Sequence, residues 1–252
     1  MFVITMLDFK VLSLASGSKG NSLVIQTEST TIMIDCGGPK RYLIQSLNQH
    51  GIQVKDIDAC FITHQHSDHM LQIKTFSSCP IYAIDPIAFV NTNLIQPLER
   101  VDVNECVVVP FKLSHDIPNV GYIIYTRNCK IVCVTDTGYL RLEDIALLSN
   151  ADFYYFESNY EPAMLLSSSR PHMVKMRTIS DSGHLSNDDS ARYLKSMIGP
   201  RTQEVMLAHI SEESNTFSLA IIAHAKAWLE EYPSIKLSCA RQFEVSLGGN
   251  YD

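Results

Sequence analysis

The 252-residue sequence predicts an α/β (α+β) protein in which two mixed β-sheets pack face to face with helices outside. Short β-branched runs arrive in groups, helical periodicities fall between some of them, and polar residues collect where strands stop. A purely parallel doubly wound sheet would instead alternate strand and helix throughout. The 46% hydrophobic fraction, the lone Trp and the lack of any biased run fit an ordinary globular chain. One domain over residues 1–252 is expected, because no linker, repeat or composition shift divides the sequence.

Residues 11–14, 22–26 and 31–34 are alternating or β-branched runs separated by Gly-Ser-Lys-Gly-Asn and Glu-Ser-Thr, which predicts a meander. Residues 39–50 predict a helix, with Pro39 near its start, Leu43, Ile44 and Leu47 on one face and Gly51 ending it. Residues 58–62 form an apolar strand, and Thr63-His64-Gln65-His66-Ser67-Asp68-His69 leaves its end as a strand-to-helix loop. Strands follow at 81–83, 106–109, 120–125, 130–134 and 153–156, with helices near 86–91 and at 142–148. Helices at 187–197 and 218–231 flank a last strand at 204–207. This order leaves His64, His115, Asp136 and His209 on loops directly after apolar strands or within a few residues of one.

Several classes are excluded. Residues 1–7 are apolar but lack a basic leader, and Asp8 and Lys10 interrupt them, so no signal peptide is read. No run approaches the roughly 18 apolar residues of a membrane-spanning helix, so a soluble protein is expected. Seven scattered cysteines, an odd number lying mostly in strand-like runs, fit core packing in a reducing cytoplasm. Cys129 and Cys133 have the wrong spacing for a zinc knuckle. The net charge of -7 argues against a broad basic surface for nucleic acid. It leaves room for a cationic cleft, since two divalent ions would bring about four positive charges to one place.

His64 and His66 alternate, so on an extended segment both imidazoles face one side, and a turn into a helix brings Asp68 and His69 beside them. Imidazole nitrogen and carboxylate oxygen suit zinc, manganese or iron. A solvated His-rich turn is the bland alternative, disfavoured by four potential ligands within six positions. Alone, His115 or His209 reads as a loop histidine, and Asp136 as a turn residue before Gly138.

The run from His64 to His69 resembles the His-x-His-x-Asp-His signature of the metallo-β-lactamase-fold hydrolases. Ser114-His115-Asp116, Thr135-Asp136-Thr137-Gly138 and Ala208-His209-Ile210-Ser211 resemble that family's later elements, in order. The resemblance implies a four-layer αββα sandwich and two divalent metal ions. His64, His66 and His115 would hold one ion, Asp68, His69 and His209 the other, with Asp136 bridging them. Two such metals can activate a shared water and neutralise both attacking and leaving oxygens, so hydrolysis is the implied reaction class.

Residues 15–22 (Ala-Ser-Gly-Ser-Lys-Gly-Asn-Ser), Glu157-Ser158-Asn159-Tyr160 and Gly183-His184-Leu185-Ser186-Asn187 look like the YycJ/WalJ/VicX branch of that family. The branch implies a phosphodiesterase, including 5′ exonuclease action on DNA. The Gly-His-Leu-Ser-Asn segment also resembles the proton-donating histidine element of tRNase Z-like enzymes, which makes His184 the expected general acid and metal-bound hydroxide the nucleophile. The structural alternative for His184 is a residue that merely precedes a helix capped by Ser186 or Asn187. Asp68 is expected to act in catalysis as well as at the metal. Ser16, Ser18, Asn21, Ser158, Asn159 and Asn187 are expected to contact substrate, the first three through a Gly-rich turn that could equally be an ordinary hairpin. Asp35 reads as a supporting or turn residue, and His50, His172 and His224 receive no role.

Two departures from the family pattern stand out. Met70-Leu71-Gln72-Ile73 lacks a nearby glycine found in many relatives, and Ser182 stands where a basic residue is expected, weakening the case for long duplex substrates. Rival readings are a small-molecule hydrolase, either a cyclic-phosphate diesterase or a glyoxalase-like thioesterase, and a metal-binding regulatory protein without turnover. The sequence leaves the oligomeric state open.

Overall fold

The structure, a computed structural model, describes residues 6–250; most of the opening stretch weighed against a leader, residues 1–5, lies outside them. The first sheet contains β1 (Lys10–Ala15), β2 (Ser22–Gln26), β3 (Thr31–Ile34), β4 (Ala59–Phe61), β5 (Ile81–Ala83), β6 (Thr92–Leu94) and β14 (Ser246–Gly249). The second contains β7 (Val101–Val103), β8 (Cys106–Leu113), β9 (Asn119–Tyr125), β10 (Lys130–Val134), β11 (Phe153–Glu157), β12 (Glu204–Ala208) and β13 (Lys236–Cys239). Their orders among the described residues are β14-β1-β2-β3-β4-β5-β6 and β13-β12-β11-β10-β9-β8-β7. Each sheet is mixed. β1, β2 and β3 are antiparallel and β3 to β6 parallel, while β7 to β10 are antiparallel and β10 to β13 parallel.

The helices are α1 (Lys40–Gln49), α2 (Ser67–Met70), α3 (Leu142–Leu148), α4 (Pro162–Ser167), α5 (His172–Ile179), α6 (Asn187–Met197) and α7 (Phe217–His224). Three apolar clusters explain the layering. One lies between the sheets and holds Phe61, Tyr122 and Phe153; Phe61 stacks on Tyr82 at 4.8 Å and meets Tyr122 edge-on at 5.4 Å. A second joins the second sheet to α6 and the segment after α7 through Phe156, Leu194 and Trp228. A third joins the first sheet to α1 through Met33, Leu43 and Leu47. Three buried interfaces make four layers, the αββα sandwich. The strand period of two sorts residues between them: on β9, Val120, Tyr122 and Ile124 face the other sheet, while Ile123 faces the helices.

Parallel strands place their carboxyl ends on one edge of the sandwich, where ligands of open α/β sheets gather. Asp35 follows β3, the 63–69 loop follows β4, Asp136 follows β10, Glu157 ends β11 and His209 follows β12. Asp35, Asp136 and His209 have φ of 58°, 60° and 53°, in the left-handed region that costs a non-glycine residue energy. The strands thus stop abruptly and turn these side chains inward.

Most predicted elements recur within a residue or two, with β8 running on to Leu113. The helix expected at 86–91 is a correction: these residues form turns, and Phe89, at φ 70° and 86% exposed, cannot continue a helical ladder. The 218–231 helix is α7 followed by a π-helical turn over Ala225–Leu229. The sequence pattern does not mark β6, β7, β13, β14, α4 or α5. Six cysteines are buried and Cys239 is partly so, as core packing requires. No helix among the described residues is long and apolar enough to cross a membrane.

The loop after β3 is pressed against α2. Asn21 N–H donates to the Asp68 carbonyl at 2.7 Å, Cys36 N–H to that of His69 at 2.7 Å, and a Cβ on Gly37 would lie 1.6 Å from the Asp68 oxygen. Gly37→Ala must therefore push the His64–His69 segment away. The expected loss is about 1–3 kcal/mol of stability, read as a lower urea midpoint at unchanged slope; an unchanged midpoint would contradict the contact.

Candidate metal centre

The seven side chains expected as ligands converge. His64 Nε2 and His66 Nδ1 are 3.0 Å apart, and a ligand atom of His115 lies with theirs inside one sphere of contact, all within 4.8 Å. Asp68, His69 and His209 form a second such group, with Asp68 Oδ2 3.6 Å from His69 Nε2. Asp136 lies between the groups: Oδ2 is 3.3 Å from His69 Nε2 and Oδ1 is 3.4 Å from His209 Nε2, and the residue also clusters with His64.

Each histidine's other ring nitrogen meets a separate partner, which sets the tautomer. His69 Nδ1 is 2.7 Å from the buried Asp35 carboxylate, which also accepts the Thr63 N–H and hydroxyl. With its own hydrogen directed to Asp35, the Thr63 hydroxyl accepts from His64 Nδ1 at 2.9 Å. His115 Nδ1 donates to the Gly183 carbonyl at 3.3 Å. His209 Nδ1 donates to Glu157 Oε1 at 3.1 Å, and its backbone N–H donates to Ser16 Oγ at 2.8 Å.

Glu157 was not anticipated, although it opens the Glu-Ser-Asn-Tyr motif. Its carboxylate is wholly buried and takes four donors: His184 Nδ1 at 2.8 Å and His209 Nδ1 on Oε1, Thr137 N–H at 3.0 Å and Leu185 N–H at 3.3 Å on Oε2. No local sequence signal marks it, because its donors come from residues 137, 184, 185 and 209. His184 therefore stands beside the cluster, 3.7 Å from Asp136 Oδ1, with ring centroids 5.5 and 5.1 Å from His115 and His209.

Charge is distributed by burial against attraction. Burial pushes His64 far below the ordinary imidazole range, and the neighbouring His69 adds to this. Burial also opposes charging His69 and His209, but Asp136, helped by Asp35 at the former and Glu157 at the latter, outweighs it and raises both. Burial resists ionising Asp136, yet His209 and His69 hold it well below the usual carboxylate range. Glu157 is likewise lowered, burial being overcome by His184 and His209.

The residues fit divalent ions by a direct observation: Asp136 Oδ2 and His209 Nε2 are buried with no hydrogen-bond partner. Such orphaned atoms cost energy unless something else meets them, and a carboxylate oxygen beside imidazole nitrogens is a zinc, manganese or iron donor set.

The residues expected at the substrate are placed differently. The Ser16 hydroxyl is taken by His209, and Asn21 bridges Gly17, Asp68 and His69. Ser158 is enclosed between Asn187 Oδ1 at 2.8 Å and His224 Nε2 at 3.3 Å, while Asn159 donates to the His209 carbonyl at 2.8 Å. Asn187 is fully buried and pairs with Asn215 at 2.9 Å. These five support the centre from behind; Ser18 is exposed at the turn. A cavity of about 510 Å³ opens beside His115, lined also by Lys112, Asp116, Tyr139 and Arg141.

The sequence model of the Metallo-beta-lactamase superfamily matches residues 15–78. The exodeoxyribonuclease WalJ of Streptococcus pneumoniae serotype 2 (strain D39 / NCTC 7466) is 31% identical over an alignment 233 positions long that covers 84% of this chain and 85% of WalJ. The chain belongs to the WalJ/YycJ family of metallo-β-lactamase-fold enzymes. The exodeoxyribonuclease YycJ of Bacillus anthracis is 29% identical over 82% of this chain and 84% of its own. The fold recurs in the crystal structure of the metallo-β-lactamase-fold protein YhfI from Bacillus subtilis, at TM-score 0.72 and 16% identity, covering 95% of this chain and 99% of that one. As a member of this family the chain is a metal-dependent hydrolase.

An ion that meets the orphaned atoms binds the folded state alone, so stripping metal lowers Tm and reloading restores it. Saturation at a hundredfold excess over Kd is worth about 2.7 kcal/mol. Asp136→Ala is expected to abolish the metal-dependent rise, measured by calorimetry with and without manganese or zinc; a full rise in that variant would remove Asp136 from the centre.

Proposed function

We propose that this enzyme hydrolyses phosphodiesters, trimming DNA from a 5′ end, with two divalent ions at the centre. His64, His66 and His115 would hold one, Asp68, His69 and His209 the other, and Asp136 would serve both. When bound, the ions supply Lewis acidity, polarising the phosphoryl group and lowering the pKa of water. The chain's own residues do the rest. Asp68, a quarter exposed, takes up the proton released as water attacks through the carboxylate oxygen that is not turned to His69. Glu157 fixes the His184 ring by accepting from Nδ1, which leaves Nε2 to deliver a proton to the departing 3′ oxygen.

The observation that carries this reading is the Glu157–His184 pair standing beside Asp136 and His209. A thioester needs no strong acid for its leaving thiolate, whereas a 3′ alkoxide does. That the relatives WalJ and YycJ are exodeoxyribonucleases supports DNA as the substrate. The charge of -7 favours substrates gripped at the cleft over long duplex tracts.

The test uses protein stripped and reloaded with manganese or zinc, offered duplex DNA labelled at either end, cyclic nucleotides and acyl thioesters. Release of labelled nucleotides from 5′ ends is expected, and cleavage confined to thioesters or cyclic nucleotides would refute the proposal. His184→Ala is expected to lower kcat on DNA by about 10²–10⁴-fold with metal content unchanged. The same variant should retain most activity on bis(p-nitrophenyl) phosphate, whose leaving group departs without a proton. Equal losses on both substrates would exclude the acid role.

A further inference from the structure

The five clustered histidines differ in what holds the nitrogen turned away from the cluster. His69 and His209 lean on wholly enclosed carboxylates, Asp35 and Glu157. His64 and His115 lean on the Thr63 hydroxyl and the Gly183 carbonyl. His66 has Asp116, whose Oδ1 is 3.3 Å from Nε2 and equally 3.3 Å from His115 Nε2, so this carboxylate stands at two of the three histidines of one group. His66 is also the most open, its side chain 35% exposed against 0%, 5% and 4% for His69, His115 and His209. Asp116 is itself 27% exposed, and its Oδ2 is tethered at 3.3 Å by Arg177 Nη1, a 63% exposed guanidinium on α5.

We infer that Asp116, held by Arg177, is the positioning residue for His66, and that the ion held by His64, His66 and His115 is consequently the weaker-bound of the two. This rests on the dinuclear reading above. An acceptor at Nε2 keeps the His66 proton there and the lone pair on Nδ1, the atom that faces His64 Nε2 at 3.0 Å. Without that acceptor the ring can carry its proton on Nδ1 or turn over. A solvent-facing carboxylate shared with an exposed arginine orients a ring less firmly than Asp35 or Glu157, which water does not reach. The two ions therefore face supports of unequal strength, and α5, which carries no expected ligand, gains a hold on one of them.

Metal-stripped protein titrated with manganese or zinc against a chromophoric chelator reads each ion separately. Wild type is expected to bind in two unequal steps. Asp116→Ala should weaken only the weaker step, by about 10–100-fold. Asp116→Asn, which keeps a neutral acceptor, should fall between Asp116→Ala and wild type. Arg177→Gln should reduce the weaker step alone, by a smaller factor, and Arg177→Lys should restore it. An unchanged Tm of the metal-free variants shows that the fold is not the cause; if Asp116→Ala fails to fold, the Arg177 pair decides. Wild-type affinities in Asp116→Ala, equal loss of both steps, or outright loss of one ion, which would make Asp116 a ligand, each overturn the inference. A wild type that takes up no metal would instead defeat the dinuclear reading.

Discussion

A buried carboxylate oxygen and a buried imidazole nitrogen without partners, on Asp136 and His209, set the terms for the rest of this structure. In a four-layer sandwich with three apolar interfaces, such groups are tolerated only if the fold forces them together or a ligand repays them. The fold meets the first condition. Strained backbone at Asp35, Asp136 and His209 turns the side chains inward, and the strands that carry them are locked by the cores on either face. Stability from apolar packing is thus invested in a site that is unfavourable when empty, and cation binding becomes part of the folded state's energetics.

Support is organised in depth. Asp35 is pushed up by its own burial, yet it stays fixed because Thr63 and His69 surround it. Behind His209, the amide of Asn159 holds the backbone carbonyl, Asn215 holds the carbonyls of residues 158 and 159, and Asn187 pairs with Asn215. Ser158 continues the network to His224, whose Nδ1 accepts from the Trp228 indole at 3.1 Å. Burial lowers His224 to about 3, so it stays neutral and serves as a fixed donor–acceptor link. These polar groups are fully matched to one another, which is what lets them sit between apolar layers.

The legibility of this arrangement in the sequence followed its physics. The His64–His69 run was readable because local spacing alone brings four donors together, and β9 and β12 because their apolar runs are continuous. Edge strands β6, β7, β13 and β14 are three or four residues long and mix polar residues or glycine into the run, so no apolar stretch marks them as it marks the equally short β5. Serine and asparagine at 16, 21, 158, 159 and 187 were read as substrate contacts because small polar residues near glycine look alike whether they face a cleft or a core. Only the fold shows that their hydrogen bonds run inward. Glu157 was hidden for the opposite reason: a lone glutamate ending a strand of aromatic residues has no local partner, and its four donors come from residues 137, 184, 185 and 209.

That carboxylate also ties the two halves of the site into one mechanical unit. Oε1 accepts from a proposed metal ligand and from the proposed acid, while two backbone N–H groups on Oε2 prevent the carboxylate from rotating toward either. Displacing His209 therefore displaces the anchor of His184, and the reverse. A β-strand end is rigid enough to transmit this, because β11 is hydrogen-bonded on both sides, to β10 and β12, and buried along its whole length. His184 and His209 thus share one fixed reference point, so their separation is set by β11 and not by the mobility of either loop.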